Sequence, residues 1–272
     1  MTSVAYGIAM PVSRGVLSPP GFCAQSLAFF ARLATQPTLA RKTLYNSMIA
    51  SLVSAGVWGK LDALYMFAAA DQATALTNLV SPNFGATAVN SPAFTADHGI
   101  SGNGTSAYIN TNFNPVSAGG QYALNSAHLS CWDLTAQNSG QTVAGAYDGA
   151  NISYLTVHDG GTADFAANSA TSSIYSPATS GTPGFVLGSR TDLNTIAIYK
   201  NNSMLGSNSA KPSSAIPNLP IYIGGRNNSG AFGNGITDQI ASFSAGAGLT
   251  SADALALYNA QHAYMQAVAG VA

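Results

Sequence analysis

No glutamate occurs anywhere in this 272-residue chain, so every acidic side chain is an aspartate. Asp, Lys and Arg together make up only 7% of the residues, against about a quarter in ordinary soluble domains. The formal net charge of −1 gives no electrostatic basis for binding nucleic acid or an anionic membrane. The only cysteines, Cys23 and Cys131, lie far apart. They offer neither a CxxC motif nor zinc spacing, so two free, semi-buried thiols are expected. No apolar run approaches the roughly 18 residues of a membrane span. The start, Met1 to Gly7, lacks a basic region followed by a clean apolar one, so no signal peptide is expected.

Ala, Ser, Thr, Asn and Gly take the place of the missing charge. A surface of small hydroxyls and amides keeps its polarity without depending on salt or pH. That suits an exposed structural protein better than a metabolic enzyme. The length fits one large all-β domain with an appendage, or two small domains.

Residues 1–20 read as an extended arm broken by Pro11, Pro19 and Pro20, suited to docking on a neighbouring subunit. A short helix is expected over 24–33, closing a first segment at 1–36. A second segment, 37–84, opens with a helix from Leu39 to Ala55, with Thr38 as N-cap and Gly56 at the C′ position. Leu44, Met48, Leu52 and Ala55 form a stripe, flanked by Tyr45, Ile49 and Val53. Its width suggests that the helix meets other subunits. A strand at Lys60–Phe67 and one or two helical turns at Asp71–Leu79 follow.

From residue 85 the pattern is β: short strands separated by Gly, Asn, Ser and Pro turns at sandwich-like spacing. Thr195–Lys200 turns back through Asn201-Asn202-Ser203 into Met204-Leu205, since Asn tolerates positive φ. Pro220–Gly225 and Thr237–Ser244 are further strands. The chain closes on a helix at Ser251–Val268, with Thr250 and Asp253 as a capping pair and Leu255, Tyr258, His262 and Met265 on one face.

This order resembles the concanavalin A-like, or laminin-G-like, jelly roll. Four motifs carry the likeness: Gly102–Ile109, Ile198-Tyr199-Lys200-Asn201-Asn202, Ile223-Gly224-Gly225, and Asp238-Gln239-Ile240 followed by Leu249–Leu255. It spans about residues 85–264 and implies a mainly β sandwich with a C-terminal helix over 85–272. A second resemblance rests on Ala40-Arg41-Lys42, Trp58–Tyr65, Asn78-Leu79-Val80 and Ala256–Ala260. These are similar to a segment that precedes laminin-G-like domains in phage and prophage proteins. That resemblance implies a virion structural role, in a tail fibre, baseplate or capsid decoration. With it go assembly in the bacterial host cytoplasm and contact with other virion proteins through the arm. The wide stripe on the Leu39–Ala55 helix adds the expectation of a homo-oligomer, in particular a trimer.

Catalysis finds little support. Glycosidases of this resemblance use a pair of glutamates, which the chain cannot supply. His158-Asp159 are adjacent, so on a strand they point to opposite faces. No catalytic residue and no resident cofactor are therefore expected. Calcium is the one ion the loops would suit, held by Asp148, Asn151 and Asp159, with Asp164 as a further carboxylate; the plainer reading of Asp148–Asn151 is a β-turn. For a sugar, the ingredients are Arg226, Asn227 and Asn228 in a polar loop, with Phe232, Trp132 and Tyr147 as aromatic faces. The residues point to a non-enzymatic virion protein displaying a jelly roll. The alternative is a lectin-like protein that recognises host surface glycan.

Overall fold

The computed structural model describes residues 21–135 and 140–270. In chain order the elements are α1 (Ala24–Phe30), α2 (Leu39–Ser54), β1 (Leu61–Met66), α3 (Gln72–Ala75), β2 (Thr87–Val89), β3 (Ala93–Thr95), β4 (Gly99–Ser101), β5 (Tyr108–Asn110) and α4 (Pro115–Ala118). There follow β6 (Ala127–Asp133), β7 (Ala144–Tyr147), β8 (Asn151–Asp159), β9 (Thr162–Ala170), β10 (Gly184–Arg190), β11 (Ile196–Lys200) and β12 (Ser203–Asn208). The last are β13 (Tyr222–Ile223), β14 (Gly225–Asn228), β15 (Ala231–Gly233), β16 (Gln239–Gly246) and α5 (Ser251–Ala269). The expected arm at 1–20 lies outside the described residues.

Two sheets form a β-sandwich, the fold class expected from the sequence. The first runs β12-β11-β10-β6-β16-β4-β3, with β1 also paired to β16; the second runs β15-β14-β7-β13-β5-β2, with β8 and β9 attached through β7. Strand alternation builds the core between them. On β6, Ala127, Leu129 and Cys131 point inward, as do Val186 on β10 and Phe243 and Ala245 on β16. The second sheet answers with Ile109, Val143, Leu155, Val157, Phe165 and Ile223. Gly188 of β10 makes room for one of these. A Cβ there would come within 2.1 Å of the Phe165 ring, so only glycine lets the two sheets approach.

The first sheet is buried on its outer side too. Trp132, Phe185, Leu187, Leu64, Met66 and Ala241 pack under α1, α2 and α5. This third layer explains why β1 is buried at all six positions and shows no polar alternation. A bulge between Ile240 and Ser242 shifts the alternation of β16. As a result Ala241 and Ser242 both face the helices, and the Ser242 hydroxyl donates to Gln261 of α5. The α5 capping box is complete: Thr250 and Asp253 each accept a backbone N–H of the other. Thr38 caps α2 by accepting from the Arg41 N–H, and Gly56 follows at φ 71°.

Two expectations change here. The stripe on α2 does not await other subunits: Tyr45, Met48, Ile49 and Leu52 are buried on this chain's own α5 and first sheet. Leu44 is only partly buried and Val53 is exposed. Segment 37–84 is also no separate docking piece, because β1 pairs with β16 inside the sandwich. The buried Asn78 ties the rest of the segment down. It accepts from the Leu64 and Val80 N–H groups and donates to the carbonyls of Asp62 and Asn83. On α5, Leu255 is exposed, and the buried face runs through Ala254, Leu257, Ala260, Gln261, Tyr264 and Met265. No helix among the described residues is long and apolar enough to cross a membrane.

Buried polar groups are matched closely. The Arg190 guanidinium, fully buried, donates all five of its N–H bonds to neutral oxygens. These are the carbonyls of Ala167, Asp192, Leu193 and Lys211 and the Ser169 hydroxyl. His128, also fully buried, sits between the Ala247 carbonyl and the Ser244 hydroxyl. Burial depresses its pKa to about 4, and only partly do the Ala247 contact and Asp253 oppose this.

Candidate functional site

Among the described residues, the second sheet carries no helical layer like the one over the first. Its outer side holds a small cluster of Ile152, Tyr154 and Ala166, with Tyr147 and Ile174 beside it. Gly145 of β7 sets the spacing there. It is the register partner of Tyr154 on β8, Tyr222 on β13 and Arg226 on β14. A Cβ at 145 would meet the Cβ of Tyr154 at 2.5 Å, so the bare glycine lets Tyr154 of β8 close up on β7.

Arg226 stands at the centre of this surface. Its guanidinium lies over the Tyr147 ring, 5.2 Å from the centroid, in cation–π geometry. Nε donates to the Asn228 amide oxygen at 2.6 Å and Nη2 to the Asn234 amide oxygen at 3.1 Å. Burial lowers the Arg226 pKa, while Tyr154 and Tyr147 push the other way. Asn228 also donates to Asn234, which closes a small polar ring.

The β14–β15 hairpin presents this group because Ser229 and Gly230, both at positive φ, make its two-residue turn. The Arg226–Gly233 pair points one way and the Asn227–Phe232 pair the other. On that second side Phe232 covers Gly225 and stacks on Tyr108, with centroids 4.6 Å apart and planes at 8°. Tyr108 in turn contacts Tyr222 at 4.4 Å. Burial and the neighbouring Tyr108 hydroxyl push the Tyr222 pKa up to about 12. Tyr147, Arg226 and Asn228 remain partly exposed on the first side. That side therefore offers an aromatic ring, an amide group and one guanidinium, the chemistry that binds a polyhydroxylated ligand.

Several of the residues singled out in the sequence fall elsewhere. Arg226, Asn227 and Asn228 belong to a strand and not to a loop. Asn227 is 1% exposed and holds its own turn, donating to the Pro220 carbonyl and accepting from the Gly230 N–H. Trp132 cannot join Arg226. It lies on the outer side of the first sheet, 2% exposed, against Phe185, Tyr258 and His262.

The calcium candidates do not converge either. Asp148 accepts from the Ala150 and Asn151 N–H groups in the β7–β8 turn, which lowers its pKa, and the Asn151 amide oxygen accepts from the Ser214 hydroxyl. Asp159 closes the far end of the nine-residue β8, about 25 Å from Asn151 at ~3.3 Å per residue. Asp164 accepts from the Thr162 hydroxyl. No group of three His, Cys or Asp suited to a metal occurs among the described residues. Cys23 and Cys131 are both free thiols, and burial pushes the Cys131 thiol up.

Reading the sequence for loops missed Tyr108, Tyr154, Tyr222 and Gly145. The usable signal was alternation: in Ala107-Tyr108-Ile109 and Ile221-Tyr222-Ile223 a tyrosine takes the face opposite a core isoleucine. A concavity of about 300 Å³ lies elsewhere, between α2 and α5. Leu44, Met48, Ala256, Ala260 and Tyr264 make it mainly apolar, with Ser47, Ser51 and Asn259 as its polar lining.

No family model and no curated protein matches the sequence. Solved structures match its fold. Domain 4 of AbnA, a GH43 extracellular arabinanase from Geobacillus stearothermophilus, solved in complex with arabinotriose, superposes with a TM-score of 0.53 at 19% identity, over 73% of this chain and 98% of that domain. The binding domain of botulinum neurotoxin serotype D superposes with a TM-score of 0.53 at 11% identity, over 78% of this chain. The match spans only about half of the toxin domain, 53% of its length. At such identities the likeness is one of fold: a β-sandwich of the lectin-like, jelly-roll class.

Proposed function

We propose that this chain is a non-enzymatic, lectin-like module that binds carbohydrate on the outer side of its second sheet. The observation that carries this reading is the Arg226–Tyr147 pair with Asn228 and Asn234, accessible on a sheet face that no helix among the described residues covers. Aromatic faces with fixed amide and guanidinium donors hold sugar rings by stacking and by directed hydrogen bonds. The sandwich domain solved with arabinotriose supports the reading by analogy of fold. The absence of glutamate supports a binding module over a glycoside hydrolase. A glycan array followed by calorimetric titration tests it. Saturable binding lost in Tyr147→Ala and kept in Leu255→Gln is the expected result. Silence across the array, or binding indifferent to Tyr147, would sink it.

A second reading concerns where the module works. We infer that it is displayed on a phage particle, because Ala40-Arg41-Lys42, Trp58–Tyr65 and Asn78-Leu79-Val80 resemble a segment of phage proteins. Ala40-Arg41-Lys42 lie in α2 and Trp58–Tyr65 run into β1, the parts that join the helical layer to the sandwich, while Asn78-Leu79-Val80 follow α3. Glycan binding would then serve attachment to the host surface. Contact with other virion proteins through residues 1–20, and a homo-oligomer, belong to the same proposal. Electron microscopy of intact virions decides it: copies at the tail tip favour receptor binding, copies over the capsid favour decoration, and absence from the particle ends this reading.

A further inference from the structure

Five of the chain's nine Lys and Arg side chains find hydrogen-bond or ion-pair acceptors elsewhere in the fold, Arg32 among them through the carbonyls of Ala28, Asn78 and Leu79. Arg41 pairs with Asp97 and Lys60 with Asp253, each at 2.6 Å. Arg190 has five neutral acceptors, and the Lys200 ammonium donates to the carbonyls of Ser180 and Thr182. Arg226 differs. It is the only Lys or Arg on the strands of the second sheet. It meets two amide oxygens and no carboxylate, and its Nη1 has no acceptor among the described residues. Residues 1–20, 136–139 and 271–272 contain no aspartate or glutamate that could complete it. The side chain is also held in place, by the Tyr147 ring on one side and by Asn228 and Asn234 along its edge.

A fixed, partly desolvated guanidinium without a counter-ion is a preformed hydrogen-bond donor site for an oxyanion, and its planar fork suits a carboxylate best. Building on the carbohydrate-binding reading, we propose that the ligand is an acidic glycan whose uronate-type carboxylate sits on the free edge of Arg226. Tyr147 takes the apolar side of the same sugar ring, and Asn228 and Asn234 hold the arginine in register. The neutral alternative, a sugar held only by stacking and hydroxyl contacts, gives Arg226 no charge to meet.

The test compares ligands before it compares variants. The intact protein is screened against neutral and uronate-containing oligosaccharides. The tightest acidic ligand is then titrated beside its methyl ester, which keeps the ring and removes the charge. The expected results are about 10- to 100-fold weaker binding of the ester, the range of a charge-assisted hydrogen bond, and weakening of the acid form by salt. Arg226→Gln should lose the preference for acid over ester, and Arg226→Lys should keep only part of it. If neutral sugars bind and acidic ones bind no better, this inference fails while the carbohydrate reading stands. If acid and ester bind equally, or Arg226→Gln leaves the preference intact, it is likewise overturned. If no saccharide binds at all, both readings fall together.

Discussion

The two sheets treat their outer faces in opposite ways. On the first, Trp132, Phe185, Leu187, Leu64 and Met66 are sealed beneath α1, α2 and α5. On the second, Ile152, Tyr154, Ala166 and Tyr222 are buried, while Tyr147, Arg226 and Asn228 keep part of their surface in solvent. The sealed face has lost the option of meeting a ligand and adds to the core. The other face gives up that burial and retains groups able to bind. A sandwich of this size can leave one face half-finished because the helices have already deepened the core on the other.

Replacing Trp132 with alanine gives the largest expected effect. It would open a cavity among Phe185, Tyr258 and His262 and lower stability by about 3–5 kcal/mol. Denaturant unfolding measures the loss. Glycan affinity of the protein that remains folded should be unchanged, since Trp132 is on the wrong side of the sandwich. A selective loss of binding without a loss of stability would invert the comparison.

Acid should act next, and also through the sealed side. His128 is held neutral with a folded pKa of about 4, below the ~6.5 of an unfolded histidine. Between those values the unfolded chain binds more protons, so stability is fully present above about pH 6.5 and drains away as pH falls towards 4. The loss is on the order of 3 kcal/mol. Asp62, raised by burial, works in the opposite direction, so the contribution of His128 is best read as a difference. Thermal melts from pH 7 to pH 4 should show a steeper decline for the native chain than for His128→Asn. Parallel curves would mean that the histidine is not the titrating group.

This division of labour was only half legible in the sequence. Local chemistry spoke clearly: Thr250 and Asp253 announced a capped helix, Asn201 a hairpin turn, and the glycines and isoleucines the order of the strands. Position in the third dimension did not. Trp132 looks like a ligand-binding aromatic until β6 is seen to turn it towards α5, and nothing local to residue 132 records which side the helices will take. The stripe on α2 was visible as apolar, but a stripe does not name its partner, which proved to be α5 and the first sheet. Arg226 was found through its company of asparagines. Its neighbours Tyr147 and Tyr154 come from strands about 70 to 80 residues earlier, a pairing that only the β7–β14 register creates.

On the less covered side, Tyr108→Ala should cost less stability than Trp132→Ala. It removes one ring from the stack with Tyr222 and Phe232. The cost is about 1–2 kcal/mol, because the ring is only partly buried and each aromatic contact is worth ~0.5–1.5 kcal/mol. It should also weaken glycan binding, since Phe232 would no longer hold the β14–β15 hairpin in place. Unfolding and titration of the same sample would show both effects. Intact affinity would mean that the hairpin needs no such support.

The smallest change in stability should come from Arg226→Gln. The substitution removes a half-exposed cation–π contact worth about 0.5–1 kcal/mol and two hydrogen bonds to the amide oxygens of Asn228 and Asn234. Those two amides lie in reach of water and of the new glutamine, so little of that loss should survive. A shift in melting temperature of no more than ~2–4 °C is expected, beside a loss of binding that Trp132→Ala does not show. That pairing is the sharpest form of the contrast between the faces. If Arg226→Gln unfolds the protein instead, the guanidinium is holding β14 to β7 and Tyr147, and the second sheet is built for stability after all.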